Sequence, residues 1–257
     1  MEIFETHAHY DDEKFPDREQ VIQACHESGI RYIVNCASDI ASCKTTLKLA
    51  ETFPYVYAAI GVHPHSAKEM DEDNLDRLYN YLTASDKVVA LGEIGLDYHY
   101  DFSPRDVQQD WFIEQIELAK ELELPIIVHT REALEETYQI LDDYSYGLTG
   151  GIIHSYNGSV EMAKRFVDLG FHIGIGGMIT FPKVRKVIET VKELPLDRLL
   201  VETDSPYLAP VPNRGQRNDS RNLPFIVEKI AEIRGMDPEE VAAATMDNAC
   251  RLFGVPR

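Results

Sequence analysis

Pro125-Ile126-Ile127-Val128-His129-Thr130 is an apolar run that ends in a histidine. Its side chains are aliphatic on both faces, which is how a parallel strand buried between two layers reads. Before it lies Val107–Leu124, where Trp111, Ile113, Ile116, Leu118, Ala119 and Leu122 recur at roughly helical spacing. The same alternation of helix and strand continues in both directions. Candidate strands are Ile3–His9, Arg31–Ala37, Tyr55–Val62, Val88–Ile94, Pro125–Thr130, Gly150–Ser155, Phe171–Ile175 and Leu199–Thr203. Helix starts are marked by Ser103-Pro104-Arg105-Asp106 and Asp237-Pro238-Glu239-Glu240, each a cap residue, a first-turn proline and an acid. Eight strand–helix units in about 250 residues predict an α/β fold, a (β/α)8 TIM barrel. A doubly wound sheet is the alternative, but the GxGxxG fingerprint is missing after the first strand. No repeat, low-complexity segment or linker divides the chain, so residues 1–257 read as one domain.

The composition agrees with a soluble globular protein. Hydrophobic residues make up 44% and charged residues 27%, which excludes a disordered, collagen-like or disulfide-scaffold chain. No apolar run reaches the roughly 18 residues of a membrane helix. The start, Met1-Glu2-Ile3-Phe4-Glu5-Thr6, lacks the basic and apolar regions of a signal peptide. The expectation is a cytoplasmic monomer with no membrane partner. Cys25, Cys36, Cys43 and Cys250 form no CxxC pair and read as reduced thiols. Against 44 acidic residues stand 25 basic ones, a net charge of −19. That argues against broad binding to duplex DNA, yet leaves room for a small site handling one phosphate at a time.

Six of the nine histidines fall at the C-terminal ends of candidate strands: His7, His9, His63, His65, His129 and His154. Glu93 and Asp204 end two further strands. That end of a barrel is its functional face. His7 and His9, two residues apart, share one face of a strand. Glu93 would follow the inward parity of Leu91. A carboxylate there needs a cation or a salt bridge, and a bridge between two metal ions is the favoured reading. His129 and His154 each close an apolar run. Asp204 can ligate a metal, accept a proton from water, or cap the loop that follows. His63-Pro64-His65 supplies outer ligands or phosphate donors, the second being favoured. The loop Ser205–Asn222 carries Arg214, Arg217 and Arg221 against Asp219 alone, whereas residues 66–124 carry fifteen acids against five basic residues.

Six motifs occur in one order: Thr6-His7-Ala8-His9, Gly61-Val62-His63-Pro64-His65, Gly92-Glu93-Ile94-Gly95-Leu96-Asp97-Tyr98, Ile127-Val128-His129-Thr130-Arg131, Glu202-Thr203-Asp204-Ser205-Pro206-Tyr207-Leu208, and Asn213-Arg214-Gly215-Gln216-Arg217-Asn218. Together they resemble the TatD family of metal-dependent deoxyribonucleases, a branch of the amidohydrolase-type barrels, over essentially the whole chain. The resemblance implies a distorted TIM barrel and a one- or two-metal centre. It also implies hydrolysis of DNA phosphodiester bonds, often from the 3′ end. It carries metal-ligand roles to His7, His9, Glu93, His129, His154 and Asp204. Two positions depart from the family pattern: Glu5, where Asp commonly precedes the HxH pair, and the segment Asn213–Ser220.

The expected chemistry is hydrolysis of DNA, single-stranded or at a 3′ end, with a metal-bound hydroxide as nucleophile. Two divalent ions are expected, and imidazole-rich ligation suits Zn or Mn better than Mg. Glu93 and Asp204 carry the catalytic roles. His63, His65, Arg214 and Arg217 are candidates for substrate phosphate, and Tyr207 or Tyr156 for stacking on a terminal base. The competing readings are a small-molecule amidohydrolase or lactonase and a D-aminoacyl-tRNA deacylase. Many small-molecule barrels bridge their ions with a carboxylated lysine, and Glu93 in its place favours the nuclease branch.

Overall fold

A computed structural model describes residues Met1–Arg257. Eight parallel strands stand in sequence order around a barrel: β1 (Ile3–Ala8), β2 (Ile30–Cys36), β3 (Val56–Ile60), β4 (Val88–Asp97), β5 (Ile126–Arg131), β6 (Gly151–Ile153), β7 (Phe171–Ile175) and β8 (Leu199–Val201). The helices are α1 (Arg18–Glu27), α2 (Ile40–Thr52), α3 (Glu72–Leu82), α4 (Arg105–Glu121), α5 (Leu134–Tyr144), α6 (Val160–Asp168), α7 (Arg185–Glu193), α8 (Leu223–Arg234) and α9 (Pro238–Phe253). This is the (β/α)8 barrel the strand pattern predicts, with α9 added after the eighth unit. No helix is long and apolar enough to cross a membrane.

Two apolar layers follow from strand alternation. Phe4, Val34, Ala90, Ile127, Ile152 and Leu200, one from each of six strands, fill the barrel interior together with Met246, Ala249 and Phe253 of α9. Their neighbours Ile3, Ile33, Leu91, Val128, Ile153 and Val201 pack outward in the layer beneath the helices. Asn248 of α9 donates to Leu196 O and Leu199 O, both at 2.9 Å, which fixes that helix against the start of β8.

The seam between β1 and β8 closes near the mouth rather than along a full ladder. His9 N donates to Ser205 O (2.7 Å) and Asp204 N to His7 O (3.0 Å). Below them the buried Glu5 carboxylate accepts from Thr203 N (2.8 Å) and Thr203 Oγ1 (2.6 Å). A side chain thus stands where a strand–strand bond would be, which gives the distortion a local cause.

One local expectation changes and one holds. Ser103 does not cap α4, which starts at Arg105 after Pro104 without a side-chain cap. Instead Ser103 Oγ donates to His65 O (2.9 Å) and accepts from Lys68 N (3.0 Å), tying the loop before α4 to the segment after β3. Asp237 does cap α9, accepting from Glu239 N at 2.8 Å.

At the opposite, stability end of the barrel, His172 is buried in β7. Burial, with Arg198 nearby, lowers its pKa to about 4. The unfolded chain takes up this proton near pH 6.5, while the folded protein resists until about 4. Stability therefore falls as pH drops across that window, by roughly 2–4 kcal/mol at its lower edge. Urea unfolding in chelator at pH 7.5 and 4.5 should show a smaller pH effect in His172→Gln. Equal losses in both proteins would exclude His172 as the source.

Candidate metal centre

Glu93 reaches the mouth because β4 is irregular. Gly92 pairs with Ile127 and Ile94 with Val128, so two steps on β4 match one on β5. Leu91 faces the helices, and so does Ile94. The expectation that Glu93 shares the parity of Leu91 is therefore corrected: the extra residue of a β-bulge turns Glu93 into the barrel. Gly92 is needed beside it, since a Cβ there would lie 2.7 Å from Ile127 Cβ. A second bulge acts on β1. From Glu5 to Ala8 is three steps, while the partners Ile33 and Asn35 are two apart. Phe4 faces inward and Ala8 outward, so the bulge is what aims His7 and His9 at the axis. On β5 and β6 alternation is unbroken, and His129 and His154 stand above the inward Ile127 and Ile152.

The two oxygens of Glu93 face different histidines, and His154 also groups by distance with His7 and Glu93. Glu93 Oε2 lies 3.4 Å from both His7 Nε2 and His9 Nε2. Those two nitrogens are 3.0 Å apart, and Asp204 Oδ1 lies 3.9 Å and 3.7 Å from them. Glu93 Oε1 lies 2.9 Å from His129 Nδ1 and 3.8 Å from His154 Nε2. A tetrahedral ion with bonds near 2.0–2.1 Å separates its ligand atoms by about 3.3–3.5 Å. The group of His7, His9, Glu93 and Asp204 sits close to that spacing, so these residues can hold a divalent ion.

The remaining ring nitrogens are held from behind. His9 Nδ1 is 2.8 Å from Cys36 O, His129 Nε2 is 3.2 Å from Asp97 Oδ2, and His154 Nδ1 is 2.9 Å from Glu202 Oε1. The hydrogen bonds of His9 and His129 place the proton on the rear nitrogen and leave the forward lone pair for a cation, while Glu202 lies behind His154 at ion-pair distance. The sequence reading assigns no role to Asp97 or Glu202, although both lie within the motifs that carry Glu93 and Asp204. Gly174 makes room for Glu202, whose Oε2 would be 2.4 Å from a Cβ there.

His63 also approaches Glu93, with Nε2 3.8 Å from Oε1. Distance alone groups it with Glu93 and His129. Its tautomer points elsewhere. His63 Nδ1 accepts from His65 N (3.1 Å), so the proton of the neutral ring is on Nε2. Burial keeps this ring neutral by lowering its pKa well below the usual imidazole value. His63 thus offers an N–H to the centre rather than a lone pair. His65 turns away, with Nε2 2.9 Å from Asp97 Oδ2.

The local field attracts positive charge. Burial opposes ionisation of Glu93, but His7, His63, His129 and His154 outweigh it and hold its pKa well below the usual carboxylate value. Burial lowers His7 to about 4. The same burial opposes charge on His9 and His154, yet the neighbouring carboxylates hold them up at about 9 and about 10. Burial pushes Asp204 up to about 6. Carboxylates that draw protons onto forward ring nitrogens would draw a divalent ion there too.

The centre opens into a cavity of about 620 Å³ lined by Asp11, Asp12, Glu93, Asp97 and Asp204, with Arg131 its only lysine or arginine. Tyr207 lines it as well, its hydroxyl donating to Asp12 Oδ2 at 2.7 Å. Three predicted substrate residues lie elsewhere. Tyr156 is buried, with its hydroxyl given to Ser159 O (2.6 Å), so its ring faces no ligand. Arg217 forms a two-pronged pair with Asp17 at 2.6 Å and 2.8 Å. Arg214 lies over the Phe181 ring at 4.4 Å and does not line the cavity.

A barrel with this carboxylate–imidazole cluster at the C-terminal ends of its strands defines a metal-dependent hydrolase. The family model described as TatD related DNase matches residues 4–254, and the chain belongs to that family. The uncharacterized metal-dependent hydrolase YabD of Bacillus subtilis is 42% identical, the match covering 98% of this chain and 99% of that protein. The 3′-5′ ssDNA/RNA exonuclease TatD of Salmonella typhimurium is 35% identical, over 93% of this chain and 94% of that protein. The crystal structure of the TatD homologue YjjV from Escherichia coli superposes with a TM-score of 0.93 at 35% identity, covering 99% of this chain and 98% of that one.

Proposed function

We propose that this hydrolase cleaves phosphodiester bonds at the 3′ end of single-stranded DNA, at a centre of two divalent ions. The observation that carries the reading is Glu93, a buried carboxylate whose two oxygens face different histidines inside an acidic cavity. His7, His9 and Asp204 would hold one ion, His129 and His154 the other, and Glu93 both. When bound, such ions supply Lewis acidity toward water and toward phosphoryl oxygens. Five lining carboxylates repel an anionic substrate unless cations offset them. The cavity volume is that of a small-ligand pocket rather than a groove tracking a duplex. The name of the Salmonella relative, with its activity on single-stranded DNA and RNA, supports the same substrate class.

The side chains divide the work. Asp204 accepts a proton from the attacking water. The water oxygen adds to phosphorus, the bond to the 3′ oxygen of the preceding nucleotide breaks, and that oxygen takes up a proton from solvent while Asp204 gives its own up to solvent. His63 offers its Nε2–H to phosphoryl oxygens. The test is a panel of 3′- and 5′-labelled single strands, duplex and RNA, after chelation and reconstitution with Zn, Mn or Mg. Stepwise shortening of single strands from the 3′ end is expected, lost in chelator and restored by metal. No cleavage of any strand with any of the three metals overturns the reading. Turnover of a lactone or of D-aminoacyl-tRNA would then identify its replacement.

A further inference from the structure

The loop between β4 and α4 carries two large aromatic side chains that the fold leaves in solvent. Tyr100 is 47% and Phe102 54% exposed. Their rings are nearly parallel, with centroids 5.2 Å apart and planes at 17°. Leaving that much aromatic surface in water costs stability, and an exposed rigid ring pair beside a cavity is what a base-stacking site requires. Tyr100 and Arg131 both line the cavity of the metal centre, and the Arg131 guanidinium carbon lies 4.7 Å from the Tyr100 ring.

The pair is held in place and linked to the centre. Asp97 Oδ1 accepts from His99 N and Tyr100 N, both at 3.0 Å, while its Oδ2 meets His65 and His129. His65 stands edge-on to both rings, at 5.5 Å from Tyr100 and 4.8 Å from Phe102. Ser103 fixes the far side of the loop through His65 O and Lys68 N. One side chain, His65, therefore separates the rings from Asp97 and the His129 it supports.

We propose that Tyr100, Phe102 and Arg131 form a one-nucleotide subsite. The ring pair takes the base of the nucleotide that flanks the scissile phosphate, and Arg131 takes that nucleotide's own phosphate. Stacking accepts any base, so this subsite selects an unpaired nucleotide without reading sequence. The inference rests on the nuclease reading above and adds where the strand lies. It also places the cationic grip on the β5 side of the mouth instead of on the arginines of the loop 205–222.

Two measurements test it. In the first, a single strand carrying 2-aminopurine in its terminal nucleotides, joined by non-hydrolysable linkages, is titrated with the metal-loaded protein, so that binding is read without cleavage. Wild type should quench the fluorescence by stacking, and the Tyr100→Ala/Phe102→Ala double variant should not, while Tyr100→Phe/Phe102→Tyr restores the quench. In the second, the metal-loaded protein is given linear single strands with normal or abasic terminal nucleotides. Wild type should show a KM on the order of 10- to 100-fold higher for the abasic strand, and the double alanine variant should treat the two strands alike. Arg131→Ala should raise KM for both and flatten the slope of log affinity against log salt by about 0.7, the loss of one phosphate contact. Cleavage by wild type that ignores the abasic change, or a quench that survives the double variant, overturns the subsite while leaving the nuclease reading intact. Absence of any strand cleavage overturns both.

Discussion

Glu93→Gln is expected to lower kcat by about a hundredfold or more and to remove at least one bound metal per chain. Glu93 is buried, and its two oxygens lie within 4 Å of five imidazoles. Glutamine keeps the volume but turns one of those oxygens into an NH2 group, which donates and cannot ligate. Whichever way the amide is placed, the histidines facing one of the oxygens lose their acceptor, and the negative charge that offsets two cations is gone. The fold should survive, because the bulge that aims residue 93 inward is a property of the backbone and of Gly92. Metal content by elemental analysis and rate on a 3′-labelled strand are the measurements. Unchanged stoichiometry together with an unchanged rate would make Glu93 a structural salt-bridge partner and nothing more.

The barrel is legible because burial on both strand faces leaves an unmistakable aliphatic signature, and because six of the eight strands lead into a histidine or carboxylate at the same level. The strand ends were less so. β4 runs on to Asp97, past the Ile94 at which its pattern stops, since a bulge resets alternation and hides Leu96 and Asp97 from a period-two reading. β8 ends at Val201, and Asp204 beyond it adopts a left-handed backbone with φ 57°, tolerable for Asp and invisible in composition. The metal-ligand candidates could be named from strand ends alone. The carboxylates behind them could not, since Asp97 and Glu202 matter through contacts with His129 and His154 on other strands.

The substrate residues were the hardest to read. Arg217 looked like a free cation because its partner, Asp17, stands 200 positions earlier in the chain. Tyr156 looked like an exposed ring because it follows His154 at the mouth, yet it turns under α6 to meet Ser159. Arg131 was overlooked at the end of an aliphatic strand, although among the cavity's side chains it alone brings a permanent positive charge. Local sequence announces a residue's chemistry, but whether that charge or ring is already spent depends on partners the chain brings from far away.

Asp204→Asn separates the two roles that Asp204 combines. Asparagine keeps a side-chain oxygen beside His7 and His9, so it can still complete a ligand set when metal is saturating. It has lost the ability to accept a proton. If proton transfer is the larger role, kcat should fall on the order of 10²- to 10⁴-fold with metal content preserved at saturation. The pH profile gives a second, independent reading. Burial pushes Asp204 up to about 6, and a cation beside it can only lower that value. The carboxylate must be ionised to work, so wild-type kcat/KM should rise with pH through a limb at or below pH 6, and the asparagine variant should lack that limb. His9, at 3.7 Å from Asp204 Oδ1, pulls in the same direction when a positive charge sits on or beside it. A variant that stays within tenfold of wild type and keeps the acid limb would assign proton acceptance elsewhere and leave Asp204 as a ligand only.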